Sequence, residues 1–197
     1  MIKYRIFLFR FALIITLISL FTTSCQQNYV PKPRGFFRID TPVKAYRDLD
    51  STLPYSFSLP VYCKISSDKN SPDEKYWINL EFSKFKGVLH LSYKQLDNNL
   101  KKYLDDSHIL VSKHIAKATA IEESEINNPS HKVYGTIYKI QGAEAASVYQ
   151  FYVTDSVHHF LRGALYFNAL PNNDSLVPVI DFVSKDIDHL IETLKWK

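Results

Sequence analysis

Glycine is scarce in this chain, with five in 197 residues, and they are too scattered to cradle a phosphate. No G-x-G-x-x-G, Walker loop, G-x-S-x-G or H-E-x-x-H occurs, which removes the signature-bearing nucleotide binders, α/β hydrolases and zinc peptidases. Ser92-Tyr93-Lys94 lacks the spacing of an S-x-x-K acyl-transfer motif. Cysteine is scarcer still. With only Cys25 and Cys63, no intrachain disulfide can form once Cys25 is modified. Long hydrophobic runs are missing as well: the uncharged, mostly apolar stretch 11–21 reaches about 16 Å as a helix, short of the roughly 30 Å hydrocarbon core, and Arg10 blocks its extension. The formal charge is +4, but Lys3, Arg5 and Arg10 precede that stretch, and without them it falls to +1. So weak a field argues against nucleic acid as a partner.

What the amino terminus does contain is a basic zone, an apolar zone and then Thr22-Thr23-Ser24-Cys25, the order of an export signal. Small residues running into a cysteine suit bacterial lipoprotein processing, with Cys25 becoming the acylated first residue. Thr22 and Ser24 depart from the usual Leu, small, Gly or Ala, Cys pattern. Several acyl chains on one residue give a stable membrane anchor. The expected organisation is a lipoprotein signal peptide over 1–24, a lipidated extended tether over 25–35, and one domain over 36–197. Six of the nine prolines lie between Pro31 and Pro72, which predicts an extended, loop-rich start to the domain.

Further along, residues 55–62, 76–82 and 88–93 alternate as strands do. The period then changes: Leu96, Leu100, Leu104, Val111, Ile115 and Ala118 recur at helical spacing, predicting one helix over 98–118 capped by Asp97 or Asn98. Residues 132–140, 145–154 and 160–168 predict a three-stranded meander. A last helix carries Ile180, Val183, Ile187, Leu190, Ile191 and Leu194 on one face, is capped by Asp174 or Ser175, and holds Pro178 in its first turn. Consecutive strands with two long helices give an α+β fold with a mainly antiparallel sheet. The element order is similar to the small periplasmic or lumenal domains of the PsbP/Mog1 type.

Candidate sites are few. Cys63 lies in an apolar, strand-like setting and reads as a buried structural thiol. His108 and His114, six apart, point about 240° apart on a helix, and the neighbours His158 and His159 face opposite sides of a strand, so neither pair chelates an ion. Asp186 and His189 could share an ion or form a surface pair; no metal and no cofactor are expected. Thr154-Asp155-Ser156-Val157-His158-His159 holds Ser, His and Asp, but triads gather from distant segments, and Asp155 and Ser156 suit a turn. Arg162 shares its strand face with Phe160, Ala164 and Tyr166, either as a partner hot spot or as an internal ion pair stacked on rings. Lys32, Arg34, Phe36, Phe37 and Arg38 form either a docking strip near the membrane or an edge strand with solvated arginines.

Several longer strings resemble one family, the GldD gliding-motility lipoproteins of the Bacteroidetes. They are Tyr29-Val30-Pro31-Lys32-Pro33-Arg34-Gly35-Phe36-Phe37-Arg38-Ile39, Pro54-Tyr55-Ser56-Phe57, Leu91-Ser92-Tyr93-Lys94, and His159-Phe160-Leu161-Arg162-Gly163-Ala164-Leu165-Tyr166-Phe167. The resemblance covers essentially the whole chain after Cys25. It implies a non-enzymatic lipoprotein of the gliding and type IX secretion apparatus, acylated (palmitate among the chains) at Cys25 and working with other Gld lipoproteins such as GldJ. No catalytic residues are implied. No acidic run follows Cys25, which predicts a domain facing the periplasm; the expected anchoring membrane is the outer one. The competing expectation is an envelope-polymer or small-ligand binder on a PsbP-like domain.

Overall fold

The computed structural model describes residues 4, 5, 8, 10, 11, 39–49, 52–69, 71–168 and 173–197. The chain divides into two units, Met1–Gly35 and Phe36–Lys197. In the first, the described residues Tyr4, Arg5, Leu8, Arg10 and Phe11 are helical. Among the described residues no helix is long and apolar enough to cross a membrane.

The second unit opens with three short strands, β1 (Tyr46–Asp48), β2 (Tyr55–Ser56) and β3 (Ser58–Pro60). Then come β4 (Lys64–Ser67), β5 (Ile78–Phe82), β6 (Gly87–Gln95), α1 (Leu100–Ser112), β7 (Ala120–Asn128), β8 (Val133–Gln141), β9 (Ser147–Thr154) and β10 (His159–Phe167). The chain closes with α2 (Asn173–Thr193) and β11 (Lys195–Trp196). Seven strands form one antiparallel sheet in the order β4-β5-β6-β10-β9-β8-β7, while β1 pairs β3 and β11 pairs β2. The α+β class follows from these observations.

Alternation gives the sheet two distinct faces. Leu89, Leu91, Phe151, Val153, Leu161 and Leu165 point to one side and are almost fully buried in the main core. The stripe on α2 is buried in the same core, with Val179, Val183, Ile187, Leu190 and Ile191 at 5% exposure or less. Those five side chains, at about 2 kcal/mol each, outweigh the roughly 3 kcal/mol cost of a proline inside a helix. Pro178 therefore sits in the second turn, not the first as its sequence position implied, since α2 begins at Asn173. Asn173 reaches out of the helix to donate to the carbonyls of Gly142 (2.7 Å) and Ala145 (2.9 Å).

The helix expected over 98–118 is shorter. It starts after Asn99, whose side-chain oxygen accepts from the Asp97 N–H instead of capping the helix. It ends at Ser112, whose hydroxyl donates back to the His108 carbonyl, and a 3-10 turn over Ile115–Lys117 leads into β7. Ile115 consequently leaves the apolar stripe and is 62% exposed.

Candidate functional site

Phe160, Arg162, Ala164 and Tyr166 occupy the sheet face turned away from the main core. Strand register places Arg162 between Ser92 on β6 and Tyr152 on β9, and Ala164 between His90 and Gln150. Part of this face lies beneath α1: Tyr103 stacks on Phe160 at 5.5 Å, Phe160 on Tyr152 at 5.7 Å, and the His108 ring meets Tyr138 edge-on. Towards β5 the face is more open. There His90 Nδ1 meets Asn79 Oδ1 at 2.6 Å and the His90 ring packs edge-on against the partly exposed Tyr166.

Arg162 sits at the border between the covered and open parts and is half-buried. One terminal nitrogen donates to Gln150 Oε1, and among the described residues no carboxylate pairs with it. The internal ion pair considered from sequence is therefore not formed with the described residues. Gln150 is itself buried, and among the described residues its amide nitrogen has no partner. Burial draws the guanidinium below its ordinary pKa, although an arginine stays charged at neutral pH. His114, just before the 3-10 turn, is held below the usual histidine value by burial and by the nearby Arg162 charge.

A second polar cluster was not legible in the sequence. Asp186 on α2 has a fully buried carboxylate. Its Oδ1 accepts from Lys44 Nζ (2.5 Å) and Tyr46 Oη (2.9 Å), and its Oδ2 from Tyr62 Oη (2.6 Å). Lys44 also donates to the Phe182 carbonyl and lies 3.9 Å from the centre of that ring, while the Tyr46 ring lies tilted against His189 with centres 3.8 Å apart. Burial first, and then the Asp186 hydrogen bond and charge, push the Tyr46 phenol up to about 12; the same causes raise Tyr62. This corrects the shared-ion or surface-pair expectation for Asp186 and His189. Asp186 instead clasps the segment around Lys44, Tyr46 and Tyr62 onto the last helix.

Cys25, Lys32, Arg34, Phe36, Phe37 and Arg38 lie outside the described residues. Of the sequence-derived binding candidates, Arg162 alone is placed. Asp155 Oδ1 accepts from the N–H groups of Val157, His158 and His159 at 2.8–3.0 Å, so this carboxylate builds the β9–β10 turn. Burial would raise its pKa, but those three donors hold it below the carboxylate range. His159 is occupied by the Tyr93 hydroxyl at 2.8 Å and stacks on Trp196. Cys63 is buried, and burial raises its thiol to about 12. Among the described residues no three His, Cys, Asp or Glu side chains converge as a metal site. A groove of about 680 Å³ beside α2, lined by Lys139, Asp181, Lys185 and Asp188, mixes both signs of charge.

An antiparallel sheet with one helix in the main core and another over its opposite face defines a PsbP-like domain. The cyanobacterial PsbP (CyanoP) from Synechocystis sp. PCC 6803 is similar over 89% of this chain and 99% of its own, with a TM-score of 0.51 and 7% identity, a likeness of fold alone. The chain belongs to the family described as gliding motility lipoprotein GldD, whose model matches residues 26–196. No curated protein matches it in sequence.

Proposed function

We propose that this chain is a non-catalytic docking or stabilising component of the gliding and type IX secretion machinery. In this role it is held by acyl chains on Cys25 to the outer membrane, faces the periplasm and works beside other lipoproteins of that machinery, GldJ among them. Membership of the gliding-motility lipoprotein family supports the setting. The observation that carries the mechanical part is the Asp186 clasp. Lys44 and Tyr46, early in the domain, and Tyr62 beyond β3 are fixed to Asp186 on the last helix by side-chain hydrogen bonds, which supports a domain whose start is held to its folded core.

Crosslinking in intact cells, with identification of the attached proteins, tests the role. Other gliding lipoproteins are expected in the adducts, and their absence overturns docking. Replacing Arg34 and Arg38 with Glu in the same cells is expected to reduce recovery; unchanged recovery removes that strip as the contact. One observation favours a second role, in which the domain binds a small ligand or an envelope polymer: Arg162, a half-buried cation with no acid beside it among the described residues.

A further inference from the structure

The donors around Arg162 outnumber their acceptors. The guanidinium spends one terminal nitrogen on Gln150 Oε1, which orients it, and its other N–H groups are unbonded among the described residues. The buried Gln150 Nε2 has no acceptor among the described residues. Ser92 stands directly opposite Arg162 across the β6–β10 pair, on the same face and partly exposed, and its hydroxyl meets no partner among the described residues. Directly paired cross-strand positions hold their Cβ atoms about 5 Å apart, so one small group can touch both side chains.

Among the described residues, the strand carboxylates on this face stand apart from Arg162, with Glu81 two strands away on β5 and hydrogen-bonded to Ser66 and Glu123 and Glu125 three strands away on β7, while Glu74 is taken up by Lys94. Among the described residues none of them forms an ion pair with Arg162, whose side-chain bond goes to Gln150.

We propose that Arg162 and Ser92 bind a carboxylate group, with Gln150 as the residue that positions the guanidinium. A planar carboxylate matches the guanidinium fork and carries the one negative charge that a single arginine balances. A phosphate dianion would need a second cation. Lys94, the next cation along β6, is already paired with Glu74 and set against the Trp77 ring. Approach is from the open side over β6, past Ser92 and His90. Such a site supplies the ligand class for the small-ligand role and is separate from docking, because anion binding and partner recovery are read in different experiments.

The test is thermal unfolding of the full lipidated chain in detergent micelles at fixed ionic strength, titrated separately with sodium acetate, sodium benzoate, inorganic phosphate and sodium chloride. A ligand that binds the native state alone raises the melting temperature by mass action. Acetate or benzoate is expected to raise it in a saturable way, with phosphate and chloride flat. Arg162→Met, which fills similar space without charge, is expected to abolish the response, and Ser92→Ala to weaken the apparent affinity at least fivefold. Gln150→Leu is expected to weaken it while leaving some response, as a positioning role requires. Equal rises with chloride or phosphate overturn the carboxylate assignment, as does a flat response to both acids. If Arg162→Met fails to fold, Ser92→Ala decides: undiminished affinity there overturns the site.

Discussion

A carboxylate with no exposed surface destabilises a fold unless its charge and lone pairs are used, and Asp186 uses both oxygens. Removing the acceptor leaves the Lys44 ammonium and two phenols without their partner. Asp186→Ala is therefore expected to cost roughly 3 kcal/mol, the lower end for a broken buried pair because Lys44 keeps some contact with water. Asp186→Asn, which retains one oxygen, should fall between alanine and the native residue. Urea titration of the full chain in micelles measures both, and limited proteolysis gives a second readout: cleavage near Lys44 and Tyr46 should quicken in the alanine variant. Unchanged stability and unchanged cleavage would show that no clasp operates. No sequence pattern announces this cluster, because the partners lie 142, 140 and 124 positions from Asp186. Arg162 was legible because strand alternation alone sets its face. Ser92 and Gln150 were not, because strand register decides which residues stand beside it.

At the scale of elements, the β8–β10 meander could be read because its strands carry long β-branched and aromatic runs and end in recognisable turns. The edge strands β7 and β4 could not. Their sequences, AIEESEINN and KISS, are mostly exposed and polar, the composition that keeps sheet edges from pairing with other chains. Close packing inside the sheet also shows at two glycines. A Cβ at Gly163 would lie 2.1 Å from a Phe151 ring atom, and one at Gly135 would lie 1.9 Å from the Tyr152 carbonyl oxygen. Each alanine substitution is expected to destabilise by about 1–3 kcal/mol through overpacking. The two differ in how they can be relieved. Phe151→Leu should recover part of the Gly163→Ala loss, since the obstacle is a side chain, whereas no side-chain trimming should rescue Gly135→Ala. A double-mutant cycle by urea titration separates them, and strict additivity at Gly163 and Phe151 would contradict the packing described.

Across the whole molecule, tyrosine joins the layers. Tyr46 and Tyr62 hold the early part of the domain to Asp186, Tyr149 donates to Asp188 on α2, the buried Tyr55 of β2 pairs with Trp196 of β11 and donates to the Tyr76 carbonyl, and Tyr138 lies under α1. Burial raises the pKa of all five, to about 12 for Tyr46 and Tyr138 and further for the others, and it raises Tyr93 as well. The sign of the linkage is fixed by which state ionises first. Below pH 10 both folded and unfolded chains carry neutral phenols, and their contribution is fully present. Between pH 10 and about 12 the unfolded chain releases protons that the native fold retains, so stability falls throughout that window. Ionisation of these six phenols should then coincide with loss of structure instead of preceding it. Phenolate absorbance at 295 nm, followed alongside far-ultraviolet circular dichroism from pH 9 to 13, checks this. The expected record has a final absorbance step that shares its midpoint with the dichroism change. A titration in which every tyrosine ionises while the dichroism stays native would mean that the phenols do not tie the helices and arm to the sheet.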